Sequence, residues 1–101
     1  MASSNDRSSL SANIKAICDY LNLSEYQFMR ECDINRSCLT RLKSGETKSF
    51  SLENMQKLGT YTKLLTDELL YDSPSKVLRK FIERQELMPH NYAHLYALIS
   101  A

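Results

Sequence analysis

The sequence predicts an all-α protein that forms one compact domain with a helical extension. The chain has 101 residues, which is enough for one hydrophobic core but not for two. It contains two glycines and two prolines, and β-branched residues do not alternate with polar ones as in half-buried strands. Apolar residues instead recur at intervals of three and four, the period of amphipathic helices.

The first predicted helix begins at Leu10, after a polar segment. Residues 1–9 are rich in serine and lack the apolar stretch of a signal peptide, so we expect a disordered tail and no export. The next segment places its apolar side chains on one face of a helix. These side chains are Leu10, Ile14, Ile17, Cys18 and Leu21.

The second and third predicted helices are short and lie on either side of a tight turn. Ser24 to Gln27 has the form of a capping box. The second helix ends near Asp33, a residue type that tolerates the left-handed backbone of a turn. Asn35 is a preferred N-cap for a third helix from residue 36 to about residue 44, and Gly45 follows as a left-handed C-cap. The inward apolar residues of this pair and its turn are Phe28, Met29, Cys32, Ile34, Leu39 and Leu42.

Serine, threonine and proline mark the starts of the remaining predicted helices. Ser51 caps a fourth helix, and Thr66 caps a short fifth helix that ends at Leu69 and Leu70. Ser73 and Pro74 place an N-cap before a proline at the first helical position and so begin a sixth helix; Pro89 begins a seventh. We therefore expect a main domain over residues 10–72 and an extension over residues 73–101. The apolar positions of the fourth, sixth and seventh helices are Leu52, Met55, Leu58, Tyr61, Val77, Leu78, Phe81, Ile82, Tyr92, Leu95, Tyr96 and Ile99.

Composition argues against several functional classes. No apolar run approaches the roughly 18 residues of a membrane span, so we expect a cytoplasmic protein without membrane contact. Three cysteines without a CxxC pair favour reduced core thiols over disulfides or structural zinc. His90 and His94 are four residues apart but have no evident third ligand, so we predict surface or interface residues and no metal site. No converging nucleophile, base and stabiliser is evident, so neither an enzyme nor a cofactor is predicted.

The strongest functional signal is the pair of short helices between Ser24 and Lys43. Two helices joined by a tight turn and packed across the corner form a helix-turn-helix, whose second helix fits the major groove of DNA. The segment from Arg36 to Lys48 contains four basic residues and one acidic residue, although the whole chain carries a net charge of only +1. The outward face of the second helix of this pair consists of Arg36, Ser37, Thr40 and Arg41.

The chain from Ile14 to Leu70 resembles the phage-repressor and Cro-like (XRE-type) family of regulators. Residues 23–29 are similar to the opening of the family's second helix, and residues 34–42 are similar to its recognition segment. Residues 44–46 resemble the turn after that segment, and residues 51–70 resemble the last two helices. The resemblance implies a five-helix, lambda-repressor-like domain that binds DNA.

The resemblance also implies which side chains meet DNA. Arg36, Ser37 and Arg41 would face base edges, with Thr40 close to them or to a phosphate. Arginine is also the commonest side chain to bind guanine. The implied phosphate ligands fix the register without selecting sequence. They are Ser24, Gln27, Lys43 and Lys48.

These features predict a sequence-specific transcriptional regulator, and the short chain favours a repressor. A homodimer presents two recognition helices one turn of double-stranded DNA apart, so we expect an inverted-repeat operator. The alternative is a protein-interaction module, such as an antirepressor or antitoxin-like subunit that uses the same surface for a protein partner. Glu25 and the near-neutral net charge favour the alternative, and the basic cluster opposes it.

The extension over residues 73–101 allows two interpretations. Its apolar stripes exceed the needs of a small core, which favours dimerisation or packing on the main domain. Alternatively, residues 78–93 weakly repeat residues 14–29 at an offset of 64, as a partial second helix-turn-helix would. The residues assigned to a dimer interface are Phe81, Ile82, Tyr92, Tyr96 and Ile99.

Overall fold

A computed structural model describes residues 9–87, and this part of the chain contains six α-helices and no strand. The all-helical prediction is confirmed for these residues. None of the helices within residues 9–87 is long and apolar enough to cross a membrane. The helices are α1 (Leu10–Leu21), α2 (Glu25–Cys32), α3 (Arg36–Ser44), α4 (Leu52–Thr62), α5 (Thr66–Tyr71) and α6 (Pro74–Leu87).

Most helices begin on the polar cap that the sequence predicts. The side chain of Asn35 accepts a hydrogen bond from the Ser37 amide at 2.9 Å. Ser51 accepts from the Asn54 amide at 3.3 Å. These bonds satisfy backbone donors that have no partner within the first helical turn.

Two helix starts differ from the prediction. Ser9, predicted to lie in the disordered tail, is the N-cap of α1 and accepts from the Ala12 amide at 3.1 Å. The N-cap of α5 is Leu65, and Thr66 is already the first helical residue. The reason is that the carboxylate of Glu68 accepts from the Leu65 amide at 2.8 Å, so no hydroxyl cap is needed.

Four of the helices end on a residue with a left-handed backbone. The φ angles are 59° at Asn22, 62° at Asp33, 85° at Gly45 and 62° at Lys63. The predictions for Asp33 and Gly45 are confirmed. In each case the amide of the capping residue donates to a carbonyl of the last helical turn, which reverses the chain within one or two residues.

The core is formed largely by the predicted apolar stripes. Phe28, Leu39 and Leu58 are fully buried at its centre. The prediction that Leu52 belongs to the apolar face of α4 is wrong. Leu52 is the first residue of α4 and is 73% exposed, and burial in that helix begins at Met55. Two of the three cysteines also belong to the core. Burial raises the pKa of both thiols, Cys18 and Cys32, to about 12.

The sixth helix packs on the first helix and completes the core. Val77 and Phe81 are 0% and 3% exposed, and the Phe81 ring meets the ring of Tyr20 edge to face at 6.2 Å. Phe81 therefore cannot serve the predicted dimer interface, and Ile82 is half-buried against the same core. Residues 74–87 share the core of the preceding helices, so this part of the predicted extension packs on the main domain.

Polar contacts fasten α6 and α1 to the end of α5. The guanidinium of Arg84 donates to both carboxylate oxygens of Glu68 at 2.6 and 2.9 Å. Lys80 bridges Glu68 and Asp72 at 3.0 and 2.8 Å. On the other side, the fully buried amide of Asn13 donates to the carbonyls of Leu69 at 2.7 Å and Asp72 at 3.1 Å. These contacts join the first and last described helices through α5.

Several predictions fall outside the described residues. They concern the tail over residues 1–8, the seventh helix, residues 88–93 of the weak repeat, and six named side chains. These side chains are His90, Tyr92, His94, Leu95, Tyr96 and Ile99.

Candidate nucleic-acid interface

The outward side of α3 brings together the four residues predicted to contact bases. The buried residues of this nine-residue helix are Leu39 and Leu42, which face the core. Of the positions before Leu39 and between the two leucines, only Cys38 is half-buried. Arg36, Ser37, Thr40 and Arg41 are all exposed.

The second helix fixes the orientation of α3. Ile34, in the turn between them, is 5% exposed, and its amide donates to the Met29 carbonyl at 2.9 Å. Phe28 is fully buried beneath the corner and meets the Tyr61 ring of α4 edge to face at 5.4 Å. The two helices are thus held by a buried apolar corner, so the exposed face of α3 has a defined direction.

Arg36 lies over an aromatic ring. Its guanidinium carbon is 4.8 Å from the centroid of Tyr26, which is 42% exposed on α2. Among the described residues, no carboxylate forms an ion pair with Arg36. Its charge therefore remains available to a ligand.

Arg41 lies beside Cys38, the half-buried cysteine of α3. A terminal guanidinium nitrogen of Arg41 is 3.8 Å from the Cys38 sulfur, and the Asn54 amide of α4 approaches that sulfur to 3.4 Å. These are weak contacts, because a thiol sulfur is a poor acceptor. Arg41 thus remains free to reach beyond the protein surface.

Lys43 is already paired within the protein. Its ammonium donates to the carboxylate of Glu25 at 2.5 Å, and this hydrogen bond raises the pKa of Lys43. Glu25 is the first residue of α2, so the pair joins the start of α2 to the end of α3. A phosphate that binds Lys43 must compete with this carboxylate.

Ser24 and Gln27 bind each other. The Gln27 amide donates to the Ser24 hydroxyl at 3.1 Å, and the Ser24 amide donates to the Gln27 side chain at 3.0 Å. Both side chains are exposed and can form further hydrogen bonds, but in the structure they form the capping box of α2. Lys48, the remaining predicted phosphate ligand, is exposed in the loop between α3 and α4.

The contacts of Glu25 with Lys43 and of Tyr26 with Arg36 were missed by sequence reasoning. The partners are 18 and 10 residues apart, and each pair crosses from α2 to α3. Opposite charge at Glu25 and Lys43 was a usable signal once the two helices were predicted to pack. The partners lie on two different helices, so periodicity within one helix does not identify these pairs.

No protein-family model, curated protein or solved structure matches this chain.

Proposed function

We propose that the protein is a sequence-specific DNA-binding regulator whose α2 and α3 act as a helix-turn-helix of the lambda-repressor type. The observation that supports this most directly is the exposed face of α3, where Arg36, Ser37, Thr40 and Arg41 point away from the core together. A single helix fits the major groove, which is about 12 Å wide. Polar side chains at the start of such a helix reach base edges.

The proposed roles follow from the chemistry of these side chains. Arg36 and Arg41 each offer the planar fork of donors that pairs with guanine, whereas Ser37 and Thr40 can donate or accept with several bases. Lys48 contacts the phosphate backbone, and Lys43 does so in competition with Glu25. As a homodimer the protein would bind an inverted repeat and act as a repressor by occupying it.

A second candidate function is binding to a protein through the same surface, as an antirepressor or antitoxin-like subunit does. The pairing of Lys43 with Glu25 favours it, because it removes one cation from the basic cluster. The whole chain carries a net charge of only +1, which gives little general attraction to DNA. Salt dependence separates the two functions, since each phosphate contact adds to the slope of log affinity against log salt concentration.

The deciding experiment is selection from random duplex DNA at two salt concentrations. The wild-type chain is compared with the double variant Arg36→Ala, Arg41→Ala. We expect the wild type to enrich an inverted repeat and the variant to lose the selection, with each arginine contributing about 1–3 kcal/mol of discrimination.

The matched control removes two cations from α6, as Lys76→Ala with Arg79→Ala. Both residues are exposed and belong to no ion pair among the described residues. The control has the same net charge as the α3 variant, so equal loss in both would indicate general electrostatics and contradict the assignment to α3. Absence of retained DNA for the wild type at low salt would favour the protein-binding alternative.

A further inference from the structure

The contact between Tyr26 and Arg36 joins the starts of α2 and α3. Tyr26 is the second residue of α2 and Arg36 is the first residue of α3. The guanidinium lies over the ring at 4.8 Å from its centroid, where the negative face of the π-system attracts a cation. Both side chains are exposed, so the pair lies on the surface proposed to meet DNA.

We infer that Tyr26 is a positioning residue that sets the base preference of Arg36, and this inference rests on the proposed function. A free arginine side chain samples many rotamers, and those rotamers are lost when it binds guanine through two parallel hydrogen bonds. The ring of Tyr26 restricts these rotamers before DNA arrives. Restricting a ligand-binding side chain in advance increases affinity for the ligand that fits its direction.

The contacts described around Arg36 assign the restriction of its side chain to the aromatic ring of Tyr26. Among the side chains that the structure describes, no carboxylate forms an ion pair with the guanidinium. The nearest helix cap, Asn35, uses its side chain to accept from the Ser37 amide. The ring is uncharged, so its effect must appear in discrimination between bases and not in the number of phosphates neutralised.

The test measures discrimination at one base pair. The guanine partner of Arg36 is first identified as the operator position whose preference disappears in Arg36→Ala. Affinities for the operator and for the operator substituted at that position are then measured for wild type, Tyr26→Ala and Tyr26→Phe. We expect Tyr26→Ala to lose about two- to fivefold of the discrimination, as for an exposed cation–π contact, and Tyr26→Phe to retain it. The salt slope should be the same in all three.

A double-mutant cycle separates positioning from a general effect. In the Arg36→Ala background, Tyr26→Ala should alter the affinity ratio less than twofold, because its partner is absent. The inference is overturned if Tyr26→Ala keeps wild-type discrimination, if Tyr26→Phe loses as much as Tyr26→Ala, or if the loss persists without Arg36. Helix content by circular dichroism confirms that the variants fold. A wild-type chain that selects no DNA overturns the proposed function, and this inference with it.

Discussion

At the scale of single residues, Asn13 links α1 to the C-terminal end of α5 through one buried and one partly buried hydrogen bond. Its amide nitrogen donates to the carbonyls of Leu69 and Asp72, and among the described residues no donor reaches its Oδ1 atom. Its contribution therefore comes from donation to two carbonyls that would otherwise be unsatisfied at the end of a short helix.

Asn13→Asp tests this role without changing the size of the side chain. The carboxylate has no donor to offer and would place negative charge against two carbonyl oxygens. We expect the free energy of unfolding at pH 7 to fall by on the order of 3 kcal/mol. Asn13→Ala, which removes the donor and leaves a small cavity, should cost roughly 2 kcal/mol. Urea unfolding measures both, and wild-type stability for Asn13→Asp would contradict the assigned role.

Glu25 is the second residue whose role a single substitution can test, because its carboxylate pairs with Lys43. Glu25→Gln removes the charge and frees the ammonium for a phosphate. We expect higher affinity for the operator and a salt slope steeper by about 1. Filter binding or fluorescence anisotropy over a series of salt concentrations measures both quantities.

The control for this change is Glu31→Gln on the same helix. Glu31 is exposed and forms no ion pair among the described residues, so its loss changes the net charge equally without freeing a cation. Equal effects of the two substitutions would mean that net charge, and not release of Lys43, controls binding.

At the scale of elements, Gly59 determines how closely α4 approaches the start of α5. A Cβ added at Gly59 would lie 2.8 Å from the backbone carbonyl oxygen of Leu64. The amides of Lys63 and Leu64 both donate to the Gly59 carbonyl, so the chain folds tightly back on this residue. A backbone oxygen cannot move aside as the end of a side chain can.

We therefore expect Gly59→Ala to destabilise the protein, although helix propensity alone predicts that alanine stabilises it. Alanine is preferred over glycine within a helix by about 1 kcal/mol. The clash with Leu64 should outweigh this gain, and we expect a net loss of roughly 1–2 kcal/mol in the free energy of unfolding. Gln56→Ala, at an exposed position of the same helix, should be neutral or slightly stabilising. Thermal unfolding compares the two, and stabilisation by Gly59→Ala would contradict the predicted clash.

The elements also show which features the sequence could predict. The caps at Ser24, Asn35 and Gly45 are visible because each bond spans four residues or fewer. The predictions for Leu52 and Thr66 are wrong, because Leu52 lies at the exposed first position of α4 and the N-cap of α5 is Leu65. Local chemistry thus predicts most helix boundaries.

The candidate site also contains features that the sequence predicts and features that it does not. The exposed face of α3 is predictable from the inward positions of Leu39 and Leu42, since residues on the opposite side of the helix must point outward. The partners of Arg36 and Lys43 are not predictable in this way, because Tyr26 and Glu25 reach them only after α2 and α3 have packed.

At the scale of the whole molecule, α6 is part of the core and not an appendage. A chain that ends at residue 72 lacks Val77 and Phe81, which leaves the apolar face of α1 uncovered. We expect this chain to lose its cooperative unfolding transition, whereas the full-length chain keeps the transition. Urea titration followed by circular dichroism distinguishes these outcomes. A cooperative transition in the shorter chain would restore the domain boundary predicted from sequence.

The ion pair that attaches α6 to α5 also makes the stability of the protein depend on pH. The hydrogen bond from Arg84 is the main reason that the pKa of Glu68 falls from its ordinary value of 4.5 to about 2. The stabilisation by this carboxylate is therefore fully present above pH 4.5 and is lost as the pH falls towards 2.

Glu68→Gln removes this stabilisation at neutral pH. We expect the free energy of unfolding at pH 7 to fall by on the order of 2 kcal/mol, and the difference from wild type to shrink steadily between pH 4.5 and pH 2. Glu83→Gln, at an exposed position of α6 without an ion pair among the described residues, is the control and should show neither effect. Urea unfolding at intervals across this range gives the comparison, and a constant difference would exclude titration of Glu68 as its source.

The packing of α6 on α1 has a consequence for synthesis of the chain on the ribosome. The helices α1, α2 and α3 emerge before α6, and the core that they share lacks Val77 and Phe81 until α6 has been translated. Because a small domain folds as a unit, folding is delayed until translation has passed Phe81. The nascent chain therefore exposes the apolar face of α1 during this interval, and binding by a chaperone should end once α6 is free to pack.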